Sequence, residues 1–196
     1  MSIIETRLDR AQKLTEQLES LVVKRGECPD DERHVLVIAY WSLLFDFHKA
    51  ILNLVHKKLY GSAFALIRPS LEALVRAHLA VKGTSEDVAA LRSDEYKTNF
   101  GTIGPWIDKE FGTEDLFTNL FIRGKVALHS YTHAGTAQLS RRFDGHNLEQ
   151  SYKEGEILEV INLSTSATWM ITNLVTKFMN FKEEAETSDK LWLEWG

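Results

Sequence analysis

The stretch from Asp31 to Leu59, DERHVLVIAYWSLLFDFHKAILNLVHKKL, decides the fold. At 100° per residue, Val37, Trp41, Leu44, Phe45, Leu52, Val55 and Leu59 fall within one arc, the pattern of a long amphipathic helix with one face on a core. His48 sits in the middle of that arc. Upstream, Leu8, Ala11, Leu14, Leu18, Leu21 and Val22 recur at spacings of three and four, which predicts a first helix over 3–25, stopped by Gly26, Pro29 and Asp30. Downstream, Gly61 and Ser62 break the pattern. A third helix over roughly 62–82 then carries Phe64, Ile67, Leu71, Leu74 and Val75, with Pro69 inside it as a predicted bend.

Working outward, residues 85–98 read as a short polar surface helix and residues from Pro105 to Gly112 as another turn or two. Thr113-Glu114-Asp115 is a capped start for one helix running to about His133. Residues 134–146 lack a period and contain Gly135 and Asp144-Gly145, so a loop or short irregular helix is expected. A last long helix should cover about 150–182. No segment alternates with β-branched enrichment and no internal repeat is evident. The prediction is an all-α, up-and-down bundle of four to five main helices with short accessory helices. It forms one domain over 1–181, followed by an acidic tail over 182–196 whose Trp192 and Trp195 are expected to dock on a surface of this chain or of a partner.

Composition agrees with that reading and removes several function classes. The chain has 196 residues, 44% hydrophobic and 26% charged, with 3 Pro and 11 Gly, so it can bury a sizeable core and is neither disordered nor linker-rich. A formal net charge of −5 argues against a nucleic-acid or membrane magnet as a whole. The lone Cys28 excludes an internal disulfide and a cysteine-rich zinc site. MSIIETRLDR is neither a secretory signal nor a transit peptide, and the most apolar run, Val35 to Phe45, is too short to span a bilayer. A cytosolic, bacterial-style setting without membrane contact is the expectation.

Polar residues on apolar faces carry the functional information, because burying one without a partner costs about 1–3 kcal/mol. His48 lies in such a face, and so does His78 on the third helix. Arg68, Glu72 and Arg76, spaced four apart, run along the edge of that helix, and His129 and His133 share a face with Ile122 and Val126. Each has a bland explanation alone: a surface ion-pair ladder, or a satisfied core histidine. Together they suggest that Arg68, Glu72, Arg76, His129 and His133, with His78 nearby, meet in one polar network between two helices. On that reading, removing Glu72 should cost about 2–4 kcal/mol.

Two motifs carry a resemblance. Ser62-Ala-Phe-Ala-Leu-Ile-Arg-Pro-Ser-Leu-Glu-Ala-Leu-Val-Arg, with Leu128-His-Ser-Tyr-Thr-His-Ala-Gly and then Arg141-Arg142, resembles a family of uncharacterised bacterial helical proteins. In that family an Arg-Pro-x-x-Glu helix and a His-x-x-x-His-x-Gly segment recur together. The resemblance spans roughly 30–180. It implies a helical fold and a shared site of Arg68, Glu72, His129, His133 and Gly135, and it supplies no reaction.

Three functional classes follow. The first is a binding or interaction module that holds a small anionic ligand between Arg68, Arg76 and the histidines. It would self-associate through helical faces bearing Trp41, Phe45, Phe117 and Phe121, and needs no cofactor. The second is metal-independent RNA cleavage. Arg123 and His129 have a spacing similar to the Arg-x4–6-His signature of HEPN-type ribonucleases, and His129, His133 and Arg123 would serve as base, acid and charge stabiliser. Residues 121–146 place Arg123, Lys125, Arg141 and Arg142 against Asp144 alone, so RNA could meet this segment, unless the acidic tail covers it. On one continuous helix, however, Arg123 and His129 stand about 120° apart. The third is a metal site of His48, His129 and His133, similar to the three-histidine arrangement of DinB-like bundles. It lacks a Glu between the histidines, and Arg68 and Arg76 would repel a cation.

Overall fold

The computed structural model describes residues 2–26, 31–93, 95–96 and 100–195, without the side chains of residues 100–102 and Lys125. Cys28, Pro29 and Asp30, on which two sequence readings rest, lie outside the described residues. Four long helices make the core: α1 (Ile3–Val23), α2 (Glu32–His56), α3 (Tyr60–Lys82) and α9 (Glu154–Phe178). Between α3 and α9 come α4 (Ser85–Arg92), α5 (Phe100–Phe111), α6 (Leu116–Arg123), α7 (Lys125–Thr132), α8 (Thr136–Leu139) and a 3-10 turn over Ser140–Arg142. A two-residue hairpin, β1 (Phe143–Asp144) and β2 (Asn147–Leu148), pairs Phe143 with Leu148 before α9 begins. The all-α bundle is therefore what the periodicity predicts.

α9 is the axis of the bundle, packed against α1, α2 and α3. Its buried face includes Ile161, Ala167, Ile171, Leu174 and Val175, and also Thr165, Thr168, Thr172 and Thr176. Each of these threonines donates its hydroxyl to the carbonyl four residues earlier, at 2.7–2.9 Å, so the polar atoms are satisfied inside the helix. α2 and α3 form an antiparallel pair over a three-residue connection, with Val37, Leu44 and Ile51 of α2 fully buried. Taken whole, α2 is long and apolar enough to cross a bilayer, with a mean hydropathy of 1.6 over its most apolar window, a property the run Val35–Phe45 does not show by itself. Here 39% of that window is buried, against its helical neighbours.

The helix ends are set by polar side chains. Ser2 and Glu5 form a reciprocal cap on α1, as do Thr84 and Asp87 on α4. Arg33 donates through Nη1 to the carbonyls of Ala80 at 2.7 Å and Gly83 at 3.0 Å, closing the end of α3 with a cation where the helix dipole is negative. α6 starts after Asp115, a residue at φ +64° that makes no capping bond. The nearly buried Asp108 of α5 does that work from outside. Its carboxylate accepts from the Phe117 and Thr118 amides at 2.9 and 2.8 Å and from both threonine hydroxyls, Thr113 and Thr118.

Four expectations change. The single helix over 113–133 is two helices broken at Gly124, where a Cβ would sit 2.5 Å from the Leu120 carbonyl oxygen. The helix expected over 85–98 ends at Arg92. Trp41, Phe45, Phe117 and Phe121, expected on an exposed dimer face, are all buried within this chain. Residues 182–195 of the expected tail are a helix, α10 (Lys182–Trp195), lying on α1 and α9. Trp192 stacks on Trp169 with centroids 4.5 Å apart and planes 9° from parallel. Trp195 is buried beneath the Arg7 guanidinium, 4.0 Å from the ring centroid, and Arg10 Nη2 donates to its carbonyl at 2.6 Å. Glu184 pairs with Arg25, two residues past the end of α1, at 2.6 Å. The acidic helix is thus engaged by α1 and α9, and the expected cover over residues 121–146 is not how it packs.

Candidate polar site between helices α3 and α7

Arg68 and Glu72 are one turn apart on the edge of α3, and Arg68 Nε donates to Glu72 Oε1 at 2.9 Å. α7 lies against this edge of α3 and presents His129 to it. The backbone helps set the approach. Pro69 has no amide to give the Ala65 carbonyl, and that oxygen lies 3.4 Å from the Thr132 hydroxyl of α7. After α7 the chain turns through Ala134 at φ +52° and Gly135, where a Cβ would lie 2.5 Å from Ser130 Oγ. Ser130 Oγ in turn accepts from the Ala137 amide at 2.9 Å, which fixes the turn behind His133.

The contact that organises the site joins Arg68 Nη1 to His129 Nδ1 at 2.7 Å. A guanidinium has donors and no acceptor, so Nδ1 accepts and the His129 proton sits on Nε2. The His133 ring lies 4.3 Å from that of His129, centroid to centroid. Both imidazoles are exposed, and the Arg68 and Glu72 side chains are 25% and 29% exposed. The result is an open patch in which Glu72 steadies Arg68, Arg68 sets the His129 tautomer, and His133 stands beside it. Behind the patch, Ile67, Leu128, Tyr131 and Val160 line an apolar cavity of about 200 Å³ with Glu156 and Glu159 among its walls. Arg141 is held by Glu156 and by the Ser151 carbonyl, which takes one charge of the basic segment into an ion pair.

The remaining candidates are elsewhere. Arg76 is half-buried one turn beyond Glu72. His78 does not share the patch: it is 2% exposed and faces α5, with Nε2 3.9 Å from Glu110 Oε2. Burial holds its imidazole below the usual range, opposed by the Glu110 carboxylate. Ten residues separate His78 from Arg68, about 15 Å along α3 and about 80° around it, so one helix edge could not hold both. Arg123 is exposed at the end of α6, and among the described residues no hydrogen bond or ion pair joins it to His129 or His133. The break at Gly124 also turns Ile122 and Val126, expected to face the interior rim, outward to 63% and 79% exposure.

His48 is entirely buried between α1, α2 and α9. Thr15 spends its hydroxyl proton on the Ala11 carbonyl, so His48 Nε2–H donates to Thr15 Oγ1 at 2.8 Å, and Nδ1 accepts from the Ser164 hydroxyl at 3.1 Å, a proton it shares with the Ile161 carbonyl at 3.1 Å. Burial, with a smaller contribution from Lys49, pushes this imidazole down to about 3. Both nitrogens are committed to the core, so the set His48, His129 and His133 does not form. Among the described residues no group of three His, Cys, Asp or Glu side chains is placed to hold a metal ion. Sequence reading missed Thr15 and Ser164 as partners of His48, although the Ser/Thr run at 164, 165, 168, 172 and 176 was the available signal. It also missed Trp106 and Glu110, which share a face of α5 four residues apart, opposite His78 and Lys82 four apart on α3.

Residues 41–99 match the model of a family of unknown function (DUF6988). That span takes in most of α2 with α3 and α4, so it contains Arg68, Glu72 and Arg76 and stops short of His129 and His133. No curated protein and no solved structure matches the chain.

Proposed function

We propose that the protein is a binding module whose Arg68, Glu72, His129 and His133 patch holds a small anionic ligand. The Arg68–His129 contact supports this reading most directly. It leaves His129 Nε2–H as an outward donor beside Arg68 Nη2, which has no partner among the described residues, with His133 in reach of the same volume. Donors held by their neighbours at an open surface suit a phosphate or carboxylate group.

RNA cleavage by the same patch is the second reading. Two imidazoles 4.3 Å apart beside a guanidinium are a set that general acid–base transfer at a phosphodiester can use, with Arg68 in the place expected of Arg123. One experiment separates the two. Inorganic phosphate is titrated into the protein while the His129 and His133 ring signals are followed by NMR, and a fluorogenic RNA oligonucleotide is incubated with the same protein in EDTA. Saturable shifts that disappear in Arg68→Ala, without RNA turnover, support the binding module. RNA turnover lost in both His129→Ala and His133→Ala replaces it with the nuclease. Absence of both responses rejects the patch as a functional site.

A further inference from the structure

A second site lies where the C-terminal half of α3 meets α5. A cavity of about 370 Å³ is bordered by His78, Lys82, Trp106, Lys109 and Glu110, a volume in the range of small-molecule pockets. Trp106 is 45% exposed, an unusually open position for the largest aromatic side chain. His78, at 2% exposure, is buried at the cavity's edge, and its Nδ1 has no hydrogen-bond partner among the described residues. An unpaired polar atom shut away from water is costly, and here it belongs to a residue that borders the cavity.

Charge restricts what that ligand can be. Glu110 Oε2 is 3.7 Å from Lys82 Nζ and 3.9 Å from His78 Nε2, so the one carboxylate among the described lining residues is already attended. Lys109 forms no ion pair among the described residues. With His78 neutral, two ammonium groups face one carboxylate among the described lining residues, and a ligand bearing a single negative charge balances that set. A dianion would be carried past balance and would meet Glu110. The Trp106 face offers a platform for a flat ring.

We propose that this cavity binds a small planar aromatic carboxylate, its ring on Trp106 and its carboxylate between Lys82 and Lys109. The site is separate from the α3–α7 patch and does not depend on the function assigned there. The probes are 2-naphthoate, the uncharged 2-naphthalenemethanol and the ring-free acetate, each titrated into the full chain while the Trp106 indole N–H signal is followed by NMR, assigned with Trp106→Phe. Naphthoate should give a saturable shift, with at least tenfold weaker binding of both comparison probes. The double variant K82Q/K109Q, at positions on the surface, should lose at least tenfold in naphthoate affinity while its melting temperature stays within a few degrees. A shift with naphthoate that is unchanged in K82Q/K109Q, equal binding of the uncharged alcohol, or no saturable response at Trp106 would overturn the proposal.

Discussion

His48 and His129 show how the same side chain is put to different uses in two regions. In the core, Thr15 and Ser164 take both nitrogens of His48, and α1, α2 and α9 close over it. At the α3–α7 edge, Arg68 takes one nitrogen of His129 and leaves the other to solvent. A histidine on an apolar face can therefore be a structural hydrogen-bond hub or an oriented donor. What separates the cases is the chemistry of the neighbour across the interface: hydroxyls that satisfy it fully, or a guanidinium that satisfies it by half.

The largest test of that contrast removes the core hub. His48→Ala leaves Thr15 and Ser164 facing an unfilled space and should cost about 3–5 kcal/mol in urea denaturation. His129→Ala, at an exposed position, should stay within about 0.5 kcal/mol. Equal losses would erase the distinction.

Acid should act on the core in the same selective way. The folded His48 imidazole titrates near 3, and an unfolded one near 6.5, so below 6.5 the unfolded chain binds the extra proton. Stability contributed by the neutral His48 is complete above pH 6.5 and is lost as pH falls toward 3, by up to about 1.4 kcal/mol per pH unit. Buried His78 adds in the same direction. Denaturation midpoints between pH 7 and 4 should fall less steeply in His48→Gln than in the wild type, and identical slopes would contradict the assignment.

Two smaller effects sharpen the surface side. Glu72→Ala should cost less than about 1 kcal/mol, because Arg68 and Glu72 are each about a quarter exposed and water can replace either partner. That is below the 2–4 kcal/mol a fully buried pair would lose. Its main consequence should be weaker phosphate binding, as Arg68 loses the carboxylate that steadies it. Arg123→Ala, at the exposed end of α6, should change neither stability nor the His129 response measurably.

The bundle was legible because α1 and α2 each bury one face, and burial imprints its period on the sequence, while α3 and α9, buried on most sides over 70–80 and 167–176, stand out by long runs of apolar and small residues. Gly124 was not legible as a break, because Leu116, Phe117, Leu120 and Phe121 lead into Val126 without a visible change of period. The contact that forbids a Cβ there is with the Leu120 carbonyl, a backbone property no pattern records. α10 was concealed by its charge: only Ala185, Ser188 and Trp195 are buried, too few to stand out from an acidic tail. In the site, residue types were readable and pairings only partly so. Arg68, Glu72, His129 and His133 do come together. His78, on the apolar arc of the same helix, belongs elsewhere, because its angle and distance along α3 point it at α5.

The tautomer of His129 tests the central claim most directly. Nitrogen NMR of the neutral His129 ring in the full chain should show Nδ1 without a proton and Nε2 carrying it, and Arg68→Ala should relax that preference. A proton on Nδ1, or a tautomer indifferent to the loss of Arg68, would contradict the account.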